Sequence, residues 1–217
     1  MPCPHLAAKF TWGPHAVNDQ PAPDWYSAHA ASFCARTFAI DMEPARQRFL
    51  RHVSTGGRIL DVGCGSGRDS LRFHELGYEV DARDRSPAIA EEARRRTGLA
   101  VRVEDVLEMQ DDAAFDGVWA SAMLIHLDEP GFREAVRRLV RALRPGGSLY
   151  ISLKQDERAS AGDGRVFRFW TMNEALAAIF GGRTPLARVE EWVSVDEGAR
   201  GTRWVNVVGR RVVEPAS

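Results

Sequence analysis

Residues able to hold and act on a polar ligand cluster in the first two thirds of this chain. Asp61-Val62-Gly63-Cys64-Gly65-Ser66-Gly67 sets an acid before three glycines at alternate positions. Glycine lacks Cβ, so it tolerates positive φ and lets a ligand approach the backbone closely. The apolar run Arg58–Val62 before it reads as a strand, and a helix start follows Gly67. That combination presents backbone N–H groups to a polar ligand at the carboxyl edge of a sheet. Asp84 lies about 20 residues past the first glycines, the spacing at which a dinucleotide fold places a ribose-binding carboxylate. Asp81 is the competing acid, but it falls in mid-strand. Downstream, His126 closes an apolar stretch. An imidazole titrates near neutral pH, with an unperturbed pKa of about 6.5, so it can serve as a general base. It can equally be a group that only shapes a pocket wall.

Asp61 to Gly67 resembles the first motif, E/D-x-G-x-G-x-G, of class I S-adenosylmethionine-dependent methyltransferases. It is not the G-x-G-x-x-G of nicotinamide enzymes, whose loop must seat a pyrophosphate. The resemblance runs from about Trp25 to Lys154. Asp84-Arg85-Ser86-Pro87 matches the family's acid followed by x-Ser-Pro, and Phe115-Asp116-Gly117-Val118 matches its F-D-x-V. It implies a Rossmann-like doubly wound α/β fold, a three-layer sandwich with seven strands in the order 3-2-1-4-5-7-6 and the last strand antiparallel. S-adenosyl-L-methionine is the implied cofactor and S-adenosyl-L-homocysteine its product. By resemblance Asp105 receives the adenine amine, and the Val106 amide meets a ring nitrogen. Tyr26, Phe33 and Arg36 would form an N-terminal lid over the cofactor. Asp61, Gly63, Cys64, Gly65, Gly67, Arg68, Arg85 and Ala120 complete the expected cofactor site. No N/D-P-P-Y/F motif follows the fourth strand, which disfavours the planar-nitrogen acceptors that go with it.

The elements that must position these residues are legible in order. Residues 1–24 read as an irregular arm and 25–217 as a single domain, with a helical lid at about 25–54. Asp41 to Val53 reads as the second helix of that lid. The lid aromatics could instead cap the sheet edge. Asp69–Leu76 is a helix closed by Gly77. Tyr78–Asp84 is a strand. Ser86 and Pro87 start a helix to Thr97, with Gly98 closing it. Ala100–Glu104 and Phe115–Ala120 are strands. Phe132, Ala135, Val136, Leu139, Val140 and Leu143 give Glu129–Leu143 helical amphipathicity. Arg144-Pro145-Gly146-Gly147 reads as a turn before the strand Ser148–Lys154. Gln155–Arg165 reads as a loop, Asn173–Phe180 as a helix stopped by Gly181-Gly182, and Val189–Val195 with Thr202–Val208 as a terminal antiparallel hairpin. Lys154, Arg165 and Arg168 are candidate substrate contacts. The Arg165–Trp170 mixture of arginines and aromatics suits an anionic or aromatic substrate, a partner, or packing alone.

Composition narrows the function. At 217 residues with a formal charge of −1, the chain suits one globular domain and does not resemble a strongly basic nucleic-acid binder. Three cysteines form no CxxC pair, so a cytoplasmic setting is expected and no metal site. No apolar run suits a membrane span. The expected protein is therefore a methyltransferase for a small-molecule substrate, monomeric or homodimeric, with neither nucleic acid nor membrane as partner. A protein or tRNA acceptor is one alternative. A non-catalytic S-adenosylmethionine-binding regulator is the other.

Overall fold

The structure is a computed structural model that describes residues 23–155, 167–181, 184–196 and 201–213. The arm up to residue 22, Arg165 and Gly182 lie outside the described residues. The helices are α1 (Pro23–Phe38), α2 (Glu43–Leu50), α3 (Arg68–Glu75), α4 (Pro87–Thr97), α5 (Glu129–Ala142) and α6 (Met172–Phe180). The strands are β1 (Arg58–Val62), β2 (Glu79–Asp84), β3 (Val101–Val103), β4 (Phe115–Ser121), β5 (Leu143–Lys154), β6 (Leu186–Val195) and β7 (Arg203–Arg211). They form one sheet in the order β3-β2-β1-β4-β5-β7-β6. Strands β1 to β5 are parallel, and β7 runs antiparallel to both β5 and β6. The expected topology is present.

Local chemistry sets the helix ends. The Ser86 hydroxyl accepts from the Ile89 amide, Pro87 takes the first turn of α4, and Gly98 closes it at φ 72°. Asp128 caps α5 by accepting from the Gly131 amide. Thr171 and Glu174 form a reciprocal capping box at α6. The expected Arg144–Gly147 turn is instead an irregularity within β5, where the pairing with β4 shifts register between Phe115 and Gly117. Proline and glycine there interrupt the ladder without ending the strand. The second lid helix is shorter than expected, because a turn already follows Leu50.

Each face of the sheet is covered differently. Helices α5 and α6 bury Leu60, Val62, Val118, Phe132, Leu139, Ile151 and Trp170 in the largest core. Helices α2 and α3 enclose Phe49, Phe73, Trp119 and Tyr150 on the other face. Residues 104–114 connect β3 to β4 without a helix. On that side β2 presents Asp81 and Arg83. The Arg83 guanidinium is 1% exposed at its side chain and bonds Asp81, Glu104 and Asp111. Arg58 and Arg102 add further contacts to Asp81.

Helix α2 packs on a glycine of β4. A Cβ on Gly117 would lie 2.7 Å from Phe49 Cζ and 2.9 Å from a Val53 methyl. Overpacking of this kind costs about 1–3 kcal/mol. Gly117→Ala should lower stability to urea by about that amount, and an unchanged midpoint would show that α2 does not seat there.

Candidate active site

The strand order reverses between β1 and β4, the place where an open α/β sheet offers a crevice at its carboxyl edge. The glycine turn leaves β1 there. Gly63, Gly65 and Gly67 all have positive φ, at 65°, 57° and 77°. A Cβ on Gly63 would stand 2.6 Å from that of Met123, so the turn packs directly on the segment after β4. The turn is tied to β2 by two bonds. The Cys64 amide donates to the Arg83 carbonyl at 2.9 Å, and the Gly65 amide donates to Asp84 Oδ2 at 3.0 Å.

Asp84 also accepts from the Ser86 amide at 2.9 Å through Oδ1. Each of its oxygens retains a second lone pair. Burial raises its pKa, against the pull of those two amides and Arg85. Asp105 accepts from the Leu107 amide at 2.9 Å. The Arg85 guanidinium stands 3.8 Å from its other oxygen. Val106 is buried beside it. Ala120 is buried near the end of β4. Asp84, Arg85, Asp105 and the glycine turn therefore share one sheet edge.

Behind the turn lies a buried acid pair. Asp61 accepts from the Ser70 hydroxyl at 2.5 Å. Burial and then the Asp69 charge push its pKa up to about 7. Burial acts on Asp69 in the same direction, but Arg68 and Arg46 outweigh it and hold Asp69 below the usual carboxylate range. Arg46 reaches Asp69 at 2.5 Å, and the Trp119 indole N–H donates to it at 3.1 Å. Arg68, expected at the cofactor, forks onto Asp69 at 3.2 and 2.9 Å and donates to the Thr37 carbonyl at 2.9 Å. It ties the end of α1 to the start of α3.

Helix α1 covers the turn. Phe33 Cε1 lies 3.7 Å from where a Gly65 Cβ would be, and Cys34 and Ala30 pack with Ile89 of α4. Arg36 is exposed, with its guanidinium carbon 6.0 Å from the Phe33 ring centroid. Burial raises the Cys34 thiol to about 11 and the Cys64 thiol well above its ordinary value, so neither is a ready nucleophile.

The opposite wall is built from β4, β5 and the segments that leave their carboxyl ends. His126 ends a 3₁₀ turn, Leu124–His126. Its Nε2 lies 3.0 Å from the Tyr26 hydroxyl, and its ring centroid is 5.2 Å from that of Phe167. The Lys154 ammonium sits 3.6 Å from the Phe167 centroid and 5.8 Å from that of Trp204. Arg168 lies over Trp170 at 4.3 Å, and its amide donates to the Ile125 carbonyl. Sequence reasoning missed Ser152, whose hydroxyl accepts from the Ala122 amide at 2.9 Å and supports that residue's positive φ of 56°. No motif marks it. Trp204 was also missed, although the β5–β7 register sets it opposite Lys154.

A family model described as a methyltransferase domain matches residues 59–147, the span from β1 to the start of β5 that builds this crevice. Over those residues the chain is similar to a methyltransferase domain. The ubiquinone biosynthesis O-methyltransferase of Xanthomonas euvesicatoria pv. vesicatoria is 36% identical to this domain over 115 residues, which cover 48% of the chain and 47% of that relative. The chain thus spans about half the length of the curated relatives it matches. Two solved structures share the methyltransferase fold. One belongs to a complex between the Haloferax volcanii Trm112 methyltransferase activator and a methyltransferase, with TM-score 0.75 and 18% identity, over 91% of this chain and all of that one. The other is the Burkholderia thailandensis 1,6-didemethyltoxoflavin-N1-methyltransferase with bound 1,6-didemethyltoxoflavin and S-adenosylhomocysteine, with TM-score 0.68 and 23% identity, over 90% of this chain and 93% of that one.

The acid pair gives the domain a signed pH dependence. Asp61 holds its proton to about pH 7 when folded, whereas an unfolded aspartate loses it near about pH 3.9. Between those values the native state binds more protons, so this residue's contribution to stability falls as pH rises, then levels above pH 7. Asp61→Asn removes that loss. Its urea midpoint relative to wild type should rise from pH 4 to pH 7 and stay constant above. A difference independent of pH would show that Asp61 is ionised throughout.

Proposed function

We propose that this protein transfers a methyl group from S-adenosyl-L-methionine to a small-molecule acceptor. The observation that carries the reading is the bond from the Gly65 amide to Asp84, which brings the glycine turn and the ribose-side acid to one edge beneath α1. The residues present fit the cofactor. A side chain on Gly65 would enter the space beneath Phe33, whose ring lies 3.7 Å away, and Asp84 keeps acceptor capacity for two hydroxyls. Asp105 and the Val106 amide would hold the adenine. Gly63, Cys64, Gly65 and Gly67 would line the amino-acid and ribose parts, with Tyr26 and Phe33 above them. When bound, S-adenosyl-L-methionine supplies a methyl group already activated by its sulfonium.

The protein's part is to place, dry and deprotonate the acceptor. Holding reactants in attacking geometry is worth about 7–11 kcal/mol in favourable cases. Tyr26, Phe33 and Phe167 exclude water from the crevice, which strengthens every polar contact within it. His126 faces Tyr26 and Phe167 on the wall opposite the glycine turn. For a hydroxyl or amine acceptor it takes the proton as general base. Lys154 and Arg168 bring positive charge to the same wall, suited to an acceptor with anionic character. A small acceptor is supported by the bound 1,6-didemethyltoxoflavin of the Burkholderia neighbour. The relatives' O-methyltransferase names favour oxygen as the accepting atom.

Asp84→Ala removes acceptors for two hydrogen bonds to charge, each worth about 1.5–3 kcal/mol. Calorimetry with S-adenosyl-L-homocysteine should show affinity reduced at least about tenfold, and unchanged affinity would assign the ribose to another acid. A labelled-donor screen of small acceptors, read by mass spectrometry, tests the transfer itself. Once an acceptor is found, His126→Ala should lower kcat about 100-fold or more while leaving S-adenosyl-L-homocysteine affinity within about twofold, and an unaltered kcat would remove His126 from the chemistry.

A further inference from the structure

A second concave surface lies along α5, apart from the crevice. Arg133, Val136, Arg137, Val140 and Arg141 share one face of that helix and line a groove of about 470 Å³. Ala178 of α6, Pro185 just before β6 and Arg211 at the end of β7 complete it. The groove leads toward the edge of the sheet where β5 begins, away from the carboxyl ends that carry the crevice, and shares no residue with the crevice. Val136 and Val140 are 2% exposed, so its base is apolar. Arg133 and Arg137 stand at its rim, with side chains 47% and 59% exposed. Among the described residues no carboxylate lines it. Glu129 pairs with Arg133 at 3.0 Å, and Glu134 is shared between Arg137 at 2.6 Å and Arg138 at 2.5 Å. Arg141 and Arg211 are held by neutral oxygens alone among the described residues. Arg141 donates to the Asp111 and Met109 carbonyls at 3.1 Å each and reaches the Gln110 side-chain oxygen at 3.5 Å. Arg211 donates to the Arg141 carbonyl at 2.9 Å and to the Leu143 carbonyl. These bonds fix two guanidinium groups without neutralising them.

We propose that this groove docks an extended acidic peptide segment of a partner protein, with carboxylates at alternate positions. Charge sets the class of ligand: four arginines and no acid call for an anion, and guanidinium forks suit carboxylates. Spacing sets its form. Arg133, Arg137 and Arg141 recur every four residues, so they step about 6 Å along the helix. Alternate side chains of an extended chain step about 6.6 Å, so successive acids on one side of the peptide meet successive arginines. The small side chains between them face Ala178 and Pro185. Arg211 adds charge at the Arg141 end. A phosphate chain would also answer the charge, but single-stranded nucleic acid is gripped by aromatic platforms as well as by cations. No aromatic side chain lines the groove among the described residues. Two of the arginines are already immobilised, which lowers the ordering cost of binding. The contact engages no crevice residue, so a partner held there does not take the place of donor or acceptor. It goes beyond the methyltransferase reading and does not rest on it.

The probe is a fluorescein-labelled peptide of about eight residues in which glutamate alternates with alanine, long enough to span the arginine row. It is titrated against the full chain by fluorescence anisotropy. Binding should saturate below about 1 mM and weaken as salt is raised. A peptide of the same composition with its glutamates contiguous should bind about fivefold more weakly, because fewer of its acids reach the row. The double variant Arg133→Gln, Arg137→Gln should bind the alternating peptide at least about fivefold more weakly. Both positions are exposed and glutamine is a good helix former, so its urea midpoint should match the wild type. On the wild type itself, the peptide should shift the methyl resonances of Val136 and Val140 and leave those of Val101, on β3, in place. No saturation, equal affinity for the two peptides, unchanged affinity in the double variant, or methyl shifts confined elsewhere would overturn the proposal. So would tighter binding of an oligothymidylate of equal charge, which would make the groove a nucleic-acid contact.

Discussion

A single buried carboxylate ties the lid, the glycine turn and the centre of the sheet together. Asp69 receives Arg46 from α2, Arg68 from its own helix and the indole of Trp119 from β4. Arg68 passes the connection on to the last turn of α1 through the Thr37 carbonyl. Removing one partner from a buried ionic group typically costs several kcal/mol, because the remaining charge is stranded. Four elements are thereby fixed relative to one carboxylate. Burial first, and then the Asp69 charge, keep its neighbour Asp61 from ionising freely.

That hub explains why the crevice holds its shape. The turn from β1 to α3 carries three left-handed glycines and is strained for any other residue. It keeps its path because Asp69 and Ser70 hold the helix start behind it, while Asp84 holds Gly65 in front. Apolar burial under α5 and α6 supplies the rigid platform, but the polar contacts choose where the loop points. The division is common to sites in which a packed scaffold carries a precise polar rim.

Much of this was legible in the sequence because the features are local. The acid and alternating glycines specify the β1–α3 turn, Ser86-Pro87 specifies a helix start, and the α5 periodicity specifies a buried face. Asp84 was distinguishable from Asp81 because it stands at the carboxyl end of its strand, whereas Asp81 falls in mid-strand. The less legible features depend on pairing between distant segments. Arg68 follows the glycine motif and so reads as a ligand contact, yet its fork is taken by the next residue and by a carbonyl 31 positions away. Pro145 and the glycines beside it carry the composition of a turn, but β4 continues to pair across them. The Tyr26–His126 bond spans two segments whose aromatic content alone suits a lid, a sheet edge or a core.

The two halves of the sheet are held by different physics. From β1 through β7, α5 and α6 cover one face with aliphatic and aromatic side chains. Beyond β1, where no helix crosses between β3 and β4, the same face is clothed by Arg58, Asp81, Arg83, Arg102, Glu104 and Asp111. Ionic strength screens the outer members of such a network, whereas oil-like contacts scarcely notice it. The β3 margin of the domain is therefore its salt-responsive flank.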